Sequence, residues 1–206
     1  MRKIIASVIT VFLTAILSTT GFIAPAQAAV SPLSLGIVPP VQFPPDDFAI
    51  TGARISGLWG RHRDVYGLDL GLLGNITDQN FVGVGLAGIF NVTRGAATVV
   101  GLQFAGATNL NYNKTKIYGI QAAVGMNYQE QSSSVVGLQI ALLGNIAAFT
   151  DIYGAQVGIF NRALDVYGFQ IGLVNVASSL HGIQIGLVNF NAKGPFSVSP
   201  FLNVGF

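Results

Sequence analysis

A short internal repeat constrains this chain more than any other feature. Residues 166–175 read VYGFQIGLVN and residues 180–189 read LHGIQIGLVN. Degraded copies precede them: VYGLDLGLLGN at 65–75, VVGLQFAGATN at 99–109, IYGIQAAVGMN at 117–127, VVGLQIALLGN at 135–145 and IYGAQVGIFN at 152–161. The copy at 81–91, FVGVGLAGIFN, keeps the glycines and loses the Gln. The anchoring glycines, Gly67, Gly83, Gly101, Gly119, Gly137, Gly154, Gly168 and Gly182, are spaced 14 to 18 residues apart. A period that short allows one small structural unit per repeat.

Each copy alternates with period two, the signature of a strand. In residues 166–175 one face carries Tyr167, Phe169, Ile171 and Leu173, and the other Val166, Gly168, Gln170, Gly172 and Val174. Glycines at this density would each cost a helix about 1 kcal/mol relative to Ala, and the β-branched and aromatic content favours strands. The expectation is an all-β chain with one large apolar face and one small face bearing a central amide.

Residues 1–28 have the pattern of a secretory leader: Arg2 and Lys3, an apolar run over 4–17, then Ala26-Gln27-Ala28 as a cleavage site. Without Arg2 and Lys3 the remaining chain holds 8 Lys and Arg against 8 Asp and Glu, from 10 and 8 in the whole sequence. That balance gives no electrostatic case for nucleic acid. Only 9% of residues are charged although 51% are hydrophobic, against about 25% charged in ordinary soluble domains. No run after residue 28 has the length and apolarity of a spanning helix. There is no cysteine, hence no disulfide framework or thiolate metal site.

Residues 29–47 contain Pro32, Pro39, Pro40, Pro44 and Pro45 and lack the repeat. They read as an extended lead-in, with 34–38 admitting a short edge strand before the prolines interrupt any ladder. The repeat domain then runs over 48–206. Strands are expected near 49–60, 65–74, 81–90, 98–108, 116–126, 134–144, 152–160, 165–174, 179–188 and 196–206. Short connections between them imply antiparallel neighbours, because a parallel crossover needs a dozen or more residues. An up-and-down antiparallel β-barrel of about ten strands would hide the edges of such a meander. With its apolar face in lipid, it would suit an outer membrane, whose strands need about 9–11 residues. A parallel β-solenoid, with Gln and Asn stacked turn on turn, and a soluble barrel or sandwich are the alternatives. Ten residues of unbroken alternation argue against the solenoid, since they fill about 33 Å.

In the barrel, the inward slots of successive strands hold Asp69, Gln103, Gln121, Gln139, Gln156, Gln170 and Gln184. Amides offer two donors and two acceptors, so a lumenal belt bonded to itself or to water is expected, with Arg54 facing Asp69. The role expected is a structural or interaction protein of the cell surface, with a narrow pore or a secreted β-solenoid adhesion or assembly module as the alternatives. Catalysis is not expected: His62 and His181 lack metal-ligand spacing, the acids are scattered, and Glu130 is the only glutamate. No cofactor is implied, and the glycine pairs precede no phosphate-cradling helix.

Two resemblances bear on location. Residues 196–206, alternating in character and ending on Phe206, resemble the terminal recognition strand of bacterial outer-membrane barrels. That implies membrane lipid and the barrel-assembly machinery as partners. The tandem V-x-G-x-Q-x-G-L-x-N phrases, over about 51–206 and clearest in 153–190, resemble the surface-repeat proteins of spirochaetes and other diderm bacteria. That resemblance implies an exported, envelope-associated β protein.

Overall fold

A computed structural model describes residues 29–206; the expected leader, residues 1–28, lies outside the described residues. The chain is all-β, as the alternation predicts, but its strands are parallel. β1 (Val30–Val38) and β2 (Val41–Phe43) precede the repeats. Long and short strands then alternate: β3 (Ala49–Ser56), β4 (Trp59–His62), β5 (Asp64–Gly71), β6 (Gly74–Thr77), β7 (Phe81–Ala87) and β8 (Phe90–Thr93). The series continues through β9 (Ala97–Ala105), β10 (Thr108–Asn111), β11 (Thr115–Ala123), β12 (Met126–Gln129), β13 (Ser133–Ala141) and β14 (Gly144–Ala147). It ends with β15 (Thr150–Val157), β16 (Phe160–Ile171), β17 (Val174–Asn191) and β18 (Val198–Gly205).

Each long strand pairs in parallel with the long strand of the next repeat, and each short strand does the same. Register is strict. Gly119 lies beside Gly137, Gln121 beside Gln139 and Asn127 beside Asn145. The result is a β-solenoid of about nine turns, which overturns the expected ten-stranded antiparallel barrel. Each expected strand from 49–60 to 165–174 bends once: residues 65–74, for example, form β5, a bend at Leu72-Leu73 and the start of β6. The rest of each turn supplies the parallel crossover, so no separate connection is needed. In the last turns the loop between short and long strands disappears, and β16 and β17 run through positions 163 and 178, where connections are expected.

The ends differ from the middle. Residues 29–47 do not hang free: β1 adds in parallel to β3 and β2 folds back antiparallel on β1. At the other end β18 pairs antiparallel with β17 and closes no cylinder. Among the described residues there is no barrel lumen. The interior is filled by one side chain per turn in each of several columns, the bulkiest apolar one being Ile50, Val65, Phe81, Val99, Ile117, Val135, Ile152, Val166 and Leu180. A narrow pore has no passage to occupy.

The repeated glycine anchors the packing. Gly67, Gly83, Gly101, Gly119, Gly137, Gly154, Gly168 and Gly182 have φ between +115° and +152°, a region favouring residues without a Cβ. A Cβ at any of them would overlap the carbonyl oxygen of the glycine one turn back. Here the spacing of turns is set by backbone lying on backbone.

Candidate functional site: an internal amide ladder and an external apolar edge

The residues expected to ring a lumen are all buried, and they lie along the solenoid axis. Gln121 Nε2 donates to Gln103 Oε1 at 2.8 Å, Gln139 to Gln121 at 3.1 Å and Gln156 to Gln139 at 2.9 Å. Gln170 donates to Gln156 at 2.8 Å and Gln184 to Gln170 at 2.7 Å. Asn203 of β18 ends the column by donating to Gln184 Oε1 at 3.1 Å. Stacking at strand spacing lets each amide from Gln121 onward donate to the turn before it and accept from the turn after it, so burial leaves little unpaired.

Gly85 occupies this slot in β7 and interrupts the column. On its far side Asp69 is held by Arg54, whose Nε donates to Oδ1 at 2.7 Å and Nη2 to Oδ2 at 2.6 Å. Arg54 Nη1 donates to the Ile76 carbonyl at 2.8 Å. The expected pairing of Arg54 with Asp69 is therefore a buried, bidentate ion pair inside the first turns, with side-chain exposures of 0% and 1%.

A second amide column was legible only as the Asn that closes each phrase. Asn75, Asn91, Asn109, Asn127, Asn145, Asn161, Asn175 and Asn189 are buried just after the bend. Each from Asn75 to Asn175 donates to the Asn of the following turn, as Asn127 Nδ2 does to Asn145 Oδ1 at 2.8 Å, and Asn189 ends the column by donating to the Ser199 carbonyl at 3.2 Å. Asn127 Nδ2 also donates to a backbone carbonyl beside the bend, Ile140 O at 3.0 Å. The Asn column donates toward the C-terminal turns and the Gln column toward the N-terminal turns, so their side-chain dipoles oppose. The first member, Asn75, has no donor for Oδ1, as the start of a directed column requires.

His62, which lacks metal-ligand spacing in the sequence, is also fully buried. Its Nε2 donates to Pro44 O at 3.1 Å and lies 3.4 Å from Ser34 Oγ. Burial, helped by the positive charge of Arg54, lowers its pKa from 6.5 to about 4, while Pro44 O, Asp46 and Asp47 act in the opposite direction. Between pH 6.5 and 4 the unfolded imidazole takes up a proton that the folded one refuses. This contribution to stability is therefore complete above pH 6.5 and is lost as pH falls toward 4, by about 2–3 kcal/mol. Thermal melts across that range should show the loss, and His62→Gln should flatten it; an unchanged pH slope in the variant would contradict the assignment.

The outside of the molecule is divided lengthwise. Counting from the column glycine, the residues three before it are polar: Asp64, Asn80, Thr98, Lys116, Ser134, Asp151, Asp165 and Ser179. Asp151 and Asp165 sit in consecutive turns, and burial, then the Asp165 charge, raises the Asp151 pKa. The residues just before the glycine include Tyr66, Tyr118, Tyr153, Tyr167 and His181. Tyr153 and Tyr167 stack at 4.9 Å, and Tyr167 and His181 at 4.6 Å. Beyond the glycine every outward residue as far as the bend is apolar, and the bends themselves are pairs such as Leu72-Leu73, Leu142-Leu143 and Gly172-Leu173. Many of these side chains are exposed: Leu72 by 68%, Leu142 by 62%, Leu143 by 56%.

Among the described residues no group of three or more His, Cys, Asp or Glu is placed to hold a metal ion. The two ladders bond to themselves or to backbone, and the arrangement that faces outward is an apolar edge opposite a polar one. No family model, curated protein or solved structure matches the chain.

Proposed function

We propose that this chain is an exported, non-catalytic β-solenoid module of the cell envelope, a stiff rod that attaches through its apolar long edge. The observation that carries this reading is the exposed apolar surface running without a Lys, Arg, Asp or Glu along the bends and the outward columns of the long strands from Tyr66 to Leu187. Contiguous apolar surface on this scale marks an interaction site. The polar chemistry of the repeat is consumed internally by the Gln and Asn columns, leaving structure and attachment as the roles it serves. The leader-like pattern of residues 1–28 and the resemblance to surface-repeat proteins support export and an envelope location.

The test is fractionation of a diderm bacterium producing the full chain with its own leader. The protein is expected in the envelope fraction and should stay there through a high-salt wash, because apolar attachment is not screened by salt. Recovery in the periplasmic or culture fluid, with none in the envelope, would contradict the reading.

A further inference from the structure

The attachment reading leaves the partner open, and we propose that it is the lipid bilayer: the solenoid lies along the membrane with its bend edge sunk into the acyl chains of one leaflet. Three observations point to hydrocarbon. The first is electrical. All outward positions on the long strands from the tyrosine column to the bends are uncharged in the turns from β5 to β17, whereas Asp78, Arg94, Lys114, Glu130 and Asp165 lie at or near the opposite edge; on the short-strand face Arg162 of β16 is the one exposed charge between these edges in those turns.

The second concerns the backbone. A chain can enter hydrocarbon only if its N–H and C=O groups are satisfied internally. The long and short strands satisfy theirs from turn to turn, and the bends do so too. Ile89 N donates to Leu73 O at 2.7 Å, Ala107 N to Ile89 O at 2.8 Å, Gly125 N to Ala107 O at 2.9 Å and Leu143 N to Gly125 O at 3.0 Å. Ordinary turns expose such groups to water, but these form an unbroken column, and the Asn side chains supply donors to the carbonyls beside it.

The third is depth. Six residues separate Tyr66 from Leu72, which at ~3.3 Å per residue is about 20 Å of strand. One leaflet's share of the hydrocarbon core is about 15 Å. With the bend at the leaflet's inner limit, the tyrosine rings fall in the headgroup zone, where aromatic belts sit, and the polar column beyond them reaches water. An apolar groove of about 910 Å³ at the same edge, lined by Ile140, Leu142, Ile171, Leu173, Leu187 and Phe201 among others, adds room for chain ends.

A second copy of this chain packed on the same edge is the competing occupant, and one set of measurements separates the two. Purified chain, freed of detergent, is mixed with phosphatidylcholine vesicles and floated on a density gradient. The single tryptophan, Trp59, begins a short strand next to the bend and reports depth through lipids brominated along the chain. Flotation is expected, with Trp59 quenched by bromines inside the hydrocarbon. Leu143→Lys and Leu173→Lys, at exposed bend positions, should each weaken partition roughly a hundredfold, while Lys114→Gln at the polar edge leaves it unchanged. Circular dichroism and melting temperature verify that the variants remain folded.

Failure to float, or flotation without quenching of Trp59, would overturn the proposal. So would a stable dimer in lipid-free buffer that the two Lys variants dissociate, since the edge would then belong to a second copy. Envelope retention in cells without vesicle binding would sink the lipid assignment alone and leave the attachment reading standing.

Discussion

Gly137→Ala is expected to destabilise the fold by at least about 4 kcal/mol, beyond the range of ordinary substitutions. Gly137 has φ +138°, and holding an L-residue in that region costs about 1–3 kcal/mol before any contact is considered. The added Cβ would also overlap the carbonyl oxygen of Gly119 in the preceding turn. Backbone cannot step aside as a flexible side chain can, so the two turns must separate. Separation stretches the bonds of Gln139 to Gln121 and of Asn127 to Asn145, which cross the same junction. Gly57 provides the control. A Cβ there meets nothing closer than 3.6 Å, and Gly57→Ala should change stability by no more than about 1 kcal/mol. Denaturant melts of the two variants test this directly; similar midpoints would mean that the glycine column does not set the spacing.

Arg54→Met should cost about 3–5 kcal/mol by leaving the Asp69 carboxylate buried without its partner. The paired carboxylate receives both of its charged hydrogen bonds from Arg54, and the next turn offers only Gly85 at the corresponding slot. Replacing both members, in Arg54→Met with Asp69→Leu, removes the stranded charge and should recover most of the loss. Solenoid stability is close to a sum over neighbouring turns, so in the single variant hydrogen exchange should rise first in β3 to β6 and only later near β16. A double variant no more stable than the single would show that the pair does not hold this end together.

The fold was half legible in the residues. Alternation identified strands and sorted the large apolar side chains, such as Tyr167, Phe169 and Ile171, from the small amide-bearing face. It also placed Arg54 beside Asp69. The error lay in continuity. Leu72-Leu73 and Leu142-Leu143 carry none of the Gly, Pro, Asn or Asp chemistry that marks a turn, so strand, bend and strand read as one long strand. What permits the bend is out of local sight: backbone hydrogen bonds to the adjacent turns, and an Asn two residues on that donates across to the next repeat. A window confined to one repeat does not contain the donor's partner. The prolines misled in a similar way. Pro32 does interrupt regular register between β1 and β3, but an end strand tolerates the interruption, and the segment joins the sheet.

The amide slots Gln103 to Gln184 were identifiable as a set because they recur at one position of the phrase. Their role depended on whether successive repeats run alternately or in the same direction. Antiparallel neighbours would have spread them around a lumen; parallel neighbours stack them into a buried column. His62 carried no sequence signal, since its surroundings, Ser34 and Pro44, come from the segment before the repeats.

The direction of neighbouring repeats is therefore the point on which everything else depends, and a cysteine-free chain makes it measurable. Tyr153 lies beside Tyr167 in the parallel register of β15 and β16, with Cα atoms about 5 Å apart. Leu173 lies in the next bend, about 15 Å or more from Tyr153 along the strand. In an antiparallel hairpin turning near Arg162, Tyr153 would instead face the neighbourhood of Leu173. Mild oxidation of Tyr153→Cys/Tyr167→Cys should yield an intramolecular disulfide, seen by gel mobility and peptide mapping, whereas Tyr153→Cys/Leu173→Cys should stay reduced. Efficient closure of the second pair, with the first remaining open, would contradict the solenoid.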